Sequence, residues 1–160
     1  ILFNHEGPMR GENFVTQKIV KSALKISQGK LSHLTLGNLY ASRDWGHADD
    51  FVEGIWKILQ YKKPDDFILS TGKSFTIKFF VEKTFKKLGI KIIWKGKGLK
   101  EVGLDKENNR PIIRVSKDYI RPLEVPYLRG NYKKAKTLLN WQPSKNLDDI
   151  IDDMIKHEKY

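Results

Sequence analysis

The 160-residue sequence contains no cysteine. That excludes disulfides, thiolate catalysis and cysteine-ligated zinc, and it fits a reducing, cytoplasmic setting. Long apolar runs are also missing. None approaches the ~20 residues of a membrane-spanning helix, so no membrane partner is expected. No segment reads as a signal peptide. No serine stands in a Gly-x-Ser-x-Gly elbow, and His33, His47 and His157 offer no nucleophile–base arrangement. His5 beside Glu6 makes a poor metal site, because adjacent side chains diverge and no third ligand follows. An initiating methionine is absent too. The chain opens on Ile1-Leu2-Phe3, which reads as the end of a strand already under way and so as a piece of something longer.

What the sequence has in excess is positive charge. Thirty Lys and Arg residues stand against 19 Asp and Glu, for a net charge of +11. That suits an anionic partner such as a nucleic acid, a membrane surface or a phosphorylated metabolite. The lysines are scattered along the chain, as at Lys57, Lys62, Lys78, Lys83, Lys86 and Lys87. Scattered lysine reads as a solvated surface. Aromatics are not interleaved with the basic residues, so a nucleic-acid-binding module is only an alternative and no nucleic acid is expected.

Strand and helix patterns alternate, which argues an α/β domain. Ile1–Phe3 reads as a strand end, followed by a loop over His5–Asn13. Helix is predicted for Phe14–Gln28, with Asn13 as N-cap and Gly29 as the stop. Leu34–Leu36 reads as a short strand. The spacing over Ala48–Leu59 predicts a helix with Phe51, Val52, Ile55, Trp56 and Leu59 inward. Phe67–Ser70 reads as a buried strand. A third helix over Thr76–Leu88 is capped by Thr76 and closed by Gly89, and a strand follows at Ile90–Trp94. Lys95–Arg110 reads as an exposed loop and Pro111–Val115 as a strand. Tyr132–Leu139 and Leu147–His157 read as helices.

Chemistry concentrates in Arg43-Asp44-Trp45-Gly46-His47. Arginine presents a planar fork of donors that fits phosphate and stays charged. Arg121, extended by the following Pro122, is a second such group, and two arginines can close on a diphosphate. Glu124 can accept sugar hydroxyls or pair with an arginine. Asn4-His5-Glu6 follows a strand, where ligands of α/β sheets bind. Arg10 and Lys18 lie close enough in sequence to reach the same place. Two other patterns are decoys. Tyr132-x-x-x-Lys136 has the spacing of a dehydrogenase pair but opens a late, very basic helix. Gly96-Lys97-Gly98 lacks the third glycine and the helix of a dinucleotide loop.

Taken together, Leu2-Phe3-Asn4-His5-Glu6, Arg10-Gly11-Glu12-Asn13-Phe14-Val15-Thr16, Gly37-Asn38-Leu39, Arg43 to Ala48, Arg121-Pro122-x-Glu124-Val125 and Asn140-Trp141-Gln142-Pro143 resemble the GDP-mannose 4,6-dehydratases. These are extended short-chain dehydrogenase/reductases, and the similarity is to their carboxyl-terminal half. The resemblance implies the last strands and helices of a Rossmann-like NAD(P)-binding domain plus a small mixed α/β substrate domain. Residues 1–12 and about 43–72 would be Rossmann-derived. Residues about 13–42 and 73–160 would form the nucleotide-sugar-binding domain. His5 and Arg10 would contact NADP. Asn4, Val15, Lys18, Arg43, Arg121 and Glu124 would line the GDP-mannose site.

The family converts GDP-mannose to GDP-4-keto-6-deoxymannose and water, on the path to GDP-fucose, and works as a homo-oligomer. Its glycine-rich phosphate loop, catalytic Ser/Thr and Glu, and Tyr-x-x-x-Lys precede the matching segment. No catalytic residue is therefore assigned here, and the chain alone is expected to be inactive. Gly7, Met9, Tyr40, Ser42, Leu123 and Pro126 depart from the family pattern. Another nucleotide-sugar epimerase or dehydratase of the same architecture is the nearest alternative.

Overall fold

The computed structural model describes residues 1–159. Its elements are β1 (Asn4–Glu6), α1 (Val15–Ser27), β2 (Leu34–Leu36), β3 (Ser42–Arg43), β4 (Trp45–His47), α2 (Ala48–Leu59), β5 (Phe75–Thr76), α3 (Ile77–Lys87), β6 (Ile92–Lys95), β7 (Val102–Asp105), β8 (Pro111–Val115), α4 (Lys133–Leu139) and α5 (Leu147–Glu158). Single 3-10 turns occupy Gly98–Lys100 and Lys117–Tyr119. The architecture is mixed α/β. Strands β2, β8, β7 and β6 form one sheet in that order, with β2 parallel to β8 and the other pairs antiparallel. Strands β1 and β4 form a separate parallel pair, and β3 pairs antiparallel with β5.

Two apolar clusters hold these layers. The larger joins α1, α3 and α5 to the four-stranded sheet through Ile19, Val20, Phe80, Phe85, Ile112, Ile113, Ile150 and Met154, all nearly free of solvent contact. The smaller gathers Phe51, Phe67, Leu69, Ala135, Leu139 and Trp141 under α2 and α4. Here Phe51 and Trp141 meet edge to face at 6.0 Å, a favoured geometry for aromatic pairs.

Several boundaries follow the sequence closely. Strand Leu34–Leu36, helix Ala48–Leu59 and strand Pro111–Val115 stand as predicted. Thr76 caps α3 by accepting from the Phe79 amide at 3.1 Å, and Gly29 and Gly89 take the left-handed φ that ends α1 and α3.

Other expectations are corrected. The first strand is Asn4–Glu6, not Ile1–Phe3, so His5 and Glu6 belong to a ladder and not to a loop; Leu2 makes only a single bridge to Leu69. Phe67–Ser70 is buried but forms that one bridge and no strand. The N-cap of α1 is Phe14, with no side-chain cap bond, and Asn13 lies outside it. Lys95–Arg110 is not all exposed loop. It contains β7, and Glu101, Leu104 and Asp105 are buried there, because β7 is the central partner of the β6–β7–β8 meander. On α2 only Phe51 of the five predicted inward residues is buried. Val52, Ile55, Trp56 and Leu59 face outward, because the helix turns its Asp50–Phe51–Gly54 side to the small cluster.

Candidate functional site

A cavity of about 440 Å³ lies between the end of β1, the first turns of α1, the end of β2 and the segment that follows β8. Its lining includes Asn4, Arg10, Val15, Lys18, Arg43, Arg121 and Glu124, so seven of the eight site residues singled out in the sequence meet in one space. His5 does not line it. Successive side chains of a strand point to opposite faces, and the His5 ring lies 5.4 Å from Phe51 with Nδ1 3.1 Å from the Phe3 carbonyl oxygen.

Arg43 sits where β3 meets β5. Its guanidinium donates to the Ser42 carbonyl at 2.8 Å, to the Val125 carbonyl at 2.7 Å and to Glu124 Oε1 at 3.2 Å. The Ser42 backbone is bonded on both sides of that segment, to the Pro126 carbonyl and the Leu128 amide. The stretch from Arg121 to Leu128 is thus strapped to β3. Arg121 and Leu123 on the strap are exposed.

The next residue, Asp44, is fully buried. Its Oδ1 accepts from the Thr71 amide at 2.8 Å and the Thr71 hydroxyl at 2.6 Å. Its Oδ2 accepts from the Gly72 amide at 2.9 Å and the Gly130 amide at 3.0 Å. Four donors offset the cost of burying a carboxylate. They also fix the corner from which Arg43 projects.

At the opposite end, buried Glu6 accepts from the Thr16 hydroxyl at 2.6 Å, and the Arg10 Nε stands 3.1 Å away. Burial raises the Glu6 carboxyl above its ordinary range, against the lowering pull of Thr16 and Arg10. The Arg10 guanidinium lies 3.4 Å over the Phe14 ring, and the Lys18 ammonium 3.6 Å over the Tyr119 ring. Both cations are therefore oriented by aromatic faces.

Sequence reasoning missed Glu6, Tyr119 and Asp118 as lining residues, although Glu6 stood inside a motif it had marked. Nothing local announces Tyr119. Its approach depends on Gly37, where a Cβ would stand 2.1 Å from the Tyr119 carbonyl oxygen. Tyr40 is a further addition. Its hydroxyl lies 2.9 Å from both carboxylate oxygens of buried Glu101, which also receives Lys78 Nζ at 2.7 Å. That cluster borders a smaller neighbouring cavity. The decoys have structural roles: Tyr132 packs edge to face on Trp141, and Gly96 turns the chain out of β6 with a positive φ. Among the described residues no group of acidic and imidazole side chains could hold a metal ion, and no helix is long and apolar enough to cross a membrane.

The family model described as GDP-mannose 4,6 dehydratase matches residues 1–154. The chain is 48% identical to the GDP-mannose 4,6 dehydratase of Homo sapiens over 155 residues, covering 97% of this chain and 42% of that protein. It is 42% identical to the GDP-mannose 4,6-dehydratase of Sinorhizobium fredii, covering 99% of this chain and 45% of that one. The chain thus spans less than half the length of the relatives it matches. Among solved structures, RMD from Pseudomonas aeruginosa complexed with NADPH superimposes with a TM-score of 0.79 at 16% identity, covering 99% of this chain and 46% of that one. The dTDP-glucose 4,6-dehydratase of Bacillus anthracis in complex with NAD gives a TM-score of 0.74 at 18% identity, covering 99% and 43%. At such identities the structural likeness concerns the fold, that of the extended short-chain dehydrogenase/reductases.

Proposed function

Because the chain belongs to the GDP-mannose 4,6 dehydratase family, we propose that it forms the substrate-binding part of such an enzyme. In this reading the cavity at the end of β1 takes GDP-mannose. Arg43 and Arg121 hold the diphosphate, and Asn4, Val15, Lys18 and Glu124 line the rest. The reaction of the whole protein is the NADP-dependent conversion of GDP-mannose to GDP-4-keto-6-deoxymannose and water. The observation that supports this most is the convergence of seven of the eight residues singled out in the sequence on one cavity, with Arg10, Arg43 and Arg121 in its wall.

Of the two residues assigned to the cofactor, Arg10 fits the role. It borders the cavity, where its ion pair with Glu6 at 3.1 Å and the Phe14 ring hold the guanidinium in place. His5, turned to Phe51, would act by shaping the strand end. The cofactor supplies hydride acceptance and return, and this chain's residues bind and orient the sugar nucleotide. By this account the chain has no turnover alone. In this reading the whole enzyme is a cytoplasmic homo-oligomer.

Calorimetric titration of GDP into the intact parent enzyme tests the reading. Saturable binding is expected, weakened about tenfold or more in Arg43→Ala, the scale of a lost charge-assisted bond. Binding that ignores Arg43, or no saturable binding by the intact enzyme, overturns it; the 160-residue chain alone is expected to bind weakly or not at all.

A further inference from the structure

Strand β6 closes one side of the four-stranded sheet. The order β2–β8–β7–β6 leaves its far side without a neighbour. The Lys91 carbonyl accepts from the Lys106 amide at 2.8 Å, and the register runs on regularly to Lys95 opposite Val102. Hydrogen-bonded and non-bonded pairs alternate along an antiparallel ladder. Ile93 and Lys95 therefore turn their N–H and C=O groups toward β7, and Ile92 and Trp94 turn theirs to the open side. Among the described residues no backbone bond is made there. Such an edge is a template for a further strand.

Two common protections of an edge are missing. The strand contains no proline, and its pairing with β7 has no bulge. It is also held firmly from within. The Trp94 indole donates to Glu82 Oε1 at 2.7 Å, and the Lys78 ammonium lies 4.4 Å over its ring. What the edge does carry is lysine. Lys91, Lys95, Lys97 and Lys100 are all exposed. Lys78 and Lys87 nearby have carboxylate partners, whereas these four have none among the described residues. Lysines along an edge repel a second copy of the same strand. For a strand that carries carboxylates the effect changes sign, because opposite charges across a strand pair attract.

We propose that β6 is a docking edge for an extended acidic segment of a partner protein, which joins the sheet as an added strand. Its backbone bonds to Ile92 and Trp94, and this gives the contact its geometry. Carboxylates at alternate positions share a face with Lys91 and Lys95 and give it selectivity. Lys97 and Lys100, in the turn that follows β6, extend the same positive edge. A nucleic acid fits less well. It has no backbone amides to offer, and the one aromatic ring of this strand is half-buried under Lys78. The proposal is independent of what the cavity binds.

The test is fluorescence anisotropy of a labelled peptide of alternating glutamate and valine, titrated with the intact parent enzyme at low salt. Saturable binding is expected, and it should weaken as salt is added. The same peptide N-methylated at every second amide loses the backbone bonds and should bind about tenfold or more weakly. The double variant Lys91→Glu, Lys95→Glu should weaken the parent peptide about fivefold or more, the scale of two reversed cross-strand pairs. GDP binding by that variant should be unaltered, which separates this proposal from the reading of the cavity. Absence of saturable peptide binding overturns the proposal, as does binding indifferent to the double variant. Equal binding of the N-methylated peptide overturns it in favour of surface charge alone. A single-stranded RNA that binds more tightly than the peptide, and is lost in the same variant, overturns it in favour of a nucleic acid.

Discussion

The Arg43 guanidinium grips Glu124 at 3.2 Å and the Val125 carbonyl at 2.7 Å, so an arginine of β3 holds a segment 81 positions later in the chain. Both side chains are mostly buried, with 16% and 18% of their surfaces exposed. This pair is the tether of the strap that carries Arg121. Glu124→Ala should therefore loosen residues 121–127 while changing global stability by less than about 1 kcal/mol, as for a partly hydrated ion pair. Hydrogen exchange should show faster amides in that stretch alone. Unchanged exchange would remove the strap from the account.

Gly37 has no room for a side chain. A Cβ there would meet the Tyr119 carbonyl oxygen at 2.1 Å and its carbonyl carbon at 2.5 Å, and both are backbone atoms that cannot rotate away. Gly37→Ala should cost about 2–3 kcal/mol in urea denaturation, the range for overpacking. It should also push Tyr119 away from Lys18, and GDP binding should weaken with it.

The Asp44 carboxylate receives four donors and no solvent. Asp44→Asn turns an NH₂ toward two of them. Leaving the amides of Gly72 and Gly130 without an acceptor should cost about 2–4 kcal/mol. The denaturation midpoint should fall with an unchanged slope if the fold is kept.

The titration of Glu6 has the opposite sign to that of the surface carboxylates. Its folded pKa is raised, chiefly by burial, from an ordinary 4.5. Its contribution to stability is whole below about pH 4.5 and is lost as the pH rises through the higher folded value. Asp49 and Asp148 are lowered from 3.8, first by hydrogen bonds from Lys145 and Lys83 respectively. Their contribution is present above 3.8 and lost as the pH falls. Stability measured from pH 3 to 8 should therefore decline less steeply above pH 4.5 in Glu6→Gln than in the parent chain, with the acid limb unchanged. Parallel curves would show that Glu6 carries no such linkage.

The sequence disclosed most where a rule is local. Thr76 is a cap because a threonine hydroxyl reaches the third amide of its helix, and Gly29 ends α1 because only glycine takes that φ freely. Seven of the eight residues singled out by arginine chemistry and family-like motifs line one cavity, and His5, on the other face of its strand, does not. Long-range pairing was not legible. Phe67–Ser70 looks like a strand by composition, yet its pairing is one bridge, Leu2–Leu69, with backbone bonds to Ile1 and Phe3 around it. Strand β7 hides in a glycine- and lysine-rich stretch because its pairing, not its composition, makes it a strand. Periodicity showed that α2 has an apolar face but could not say which of its two such faces meets this chain. Tyr119 reaches Lys18 through a missing side chain at Gly37, which no pattern of apolar residues reveals.

The Asp44 carboxylate gathers amides from positions 27 and 86 residues further along the chain. Closing loops of that size has an entropic cost before any of those bonds can form. The corner that aims Arg43 therefore depends on contacts of long sequence separation, unlike the locally paired β6–β7–β8 meander. A nascent chain emerging residue by residue cannot complete the corner behind Arg43 until Gly130 has been made.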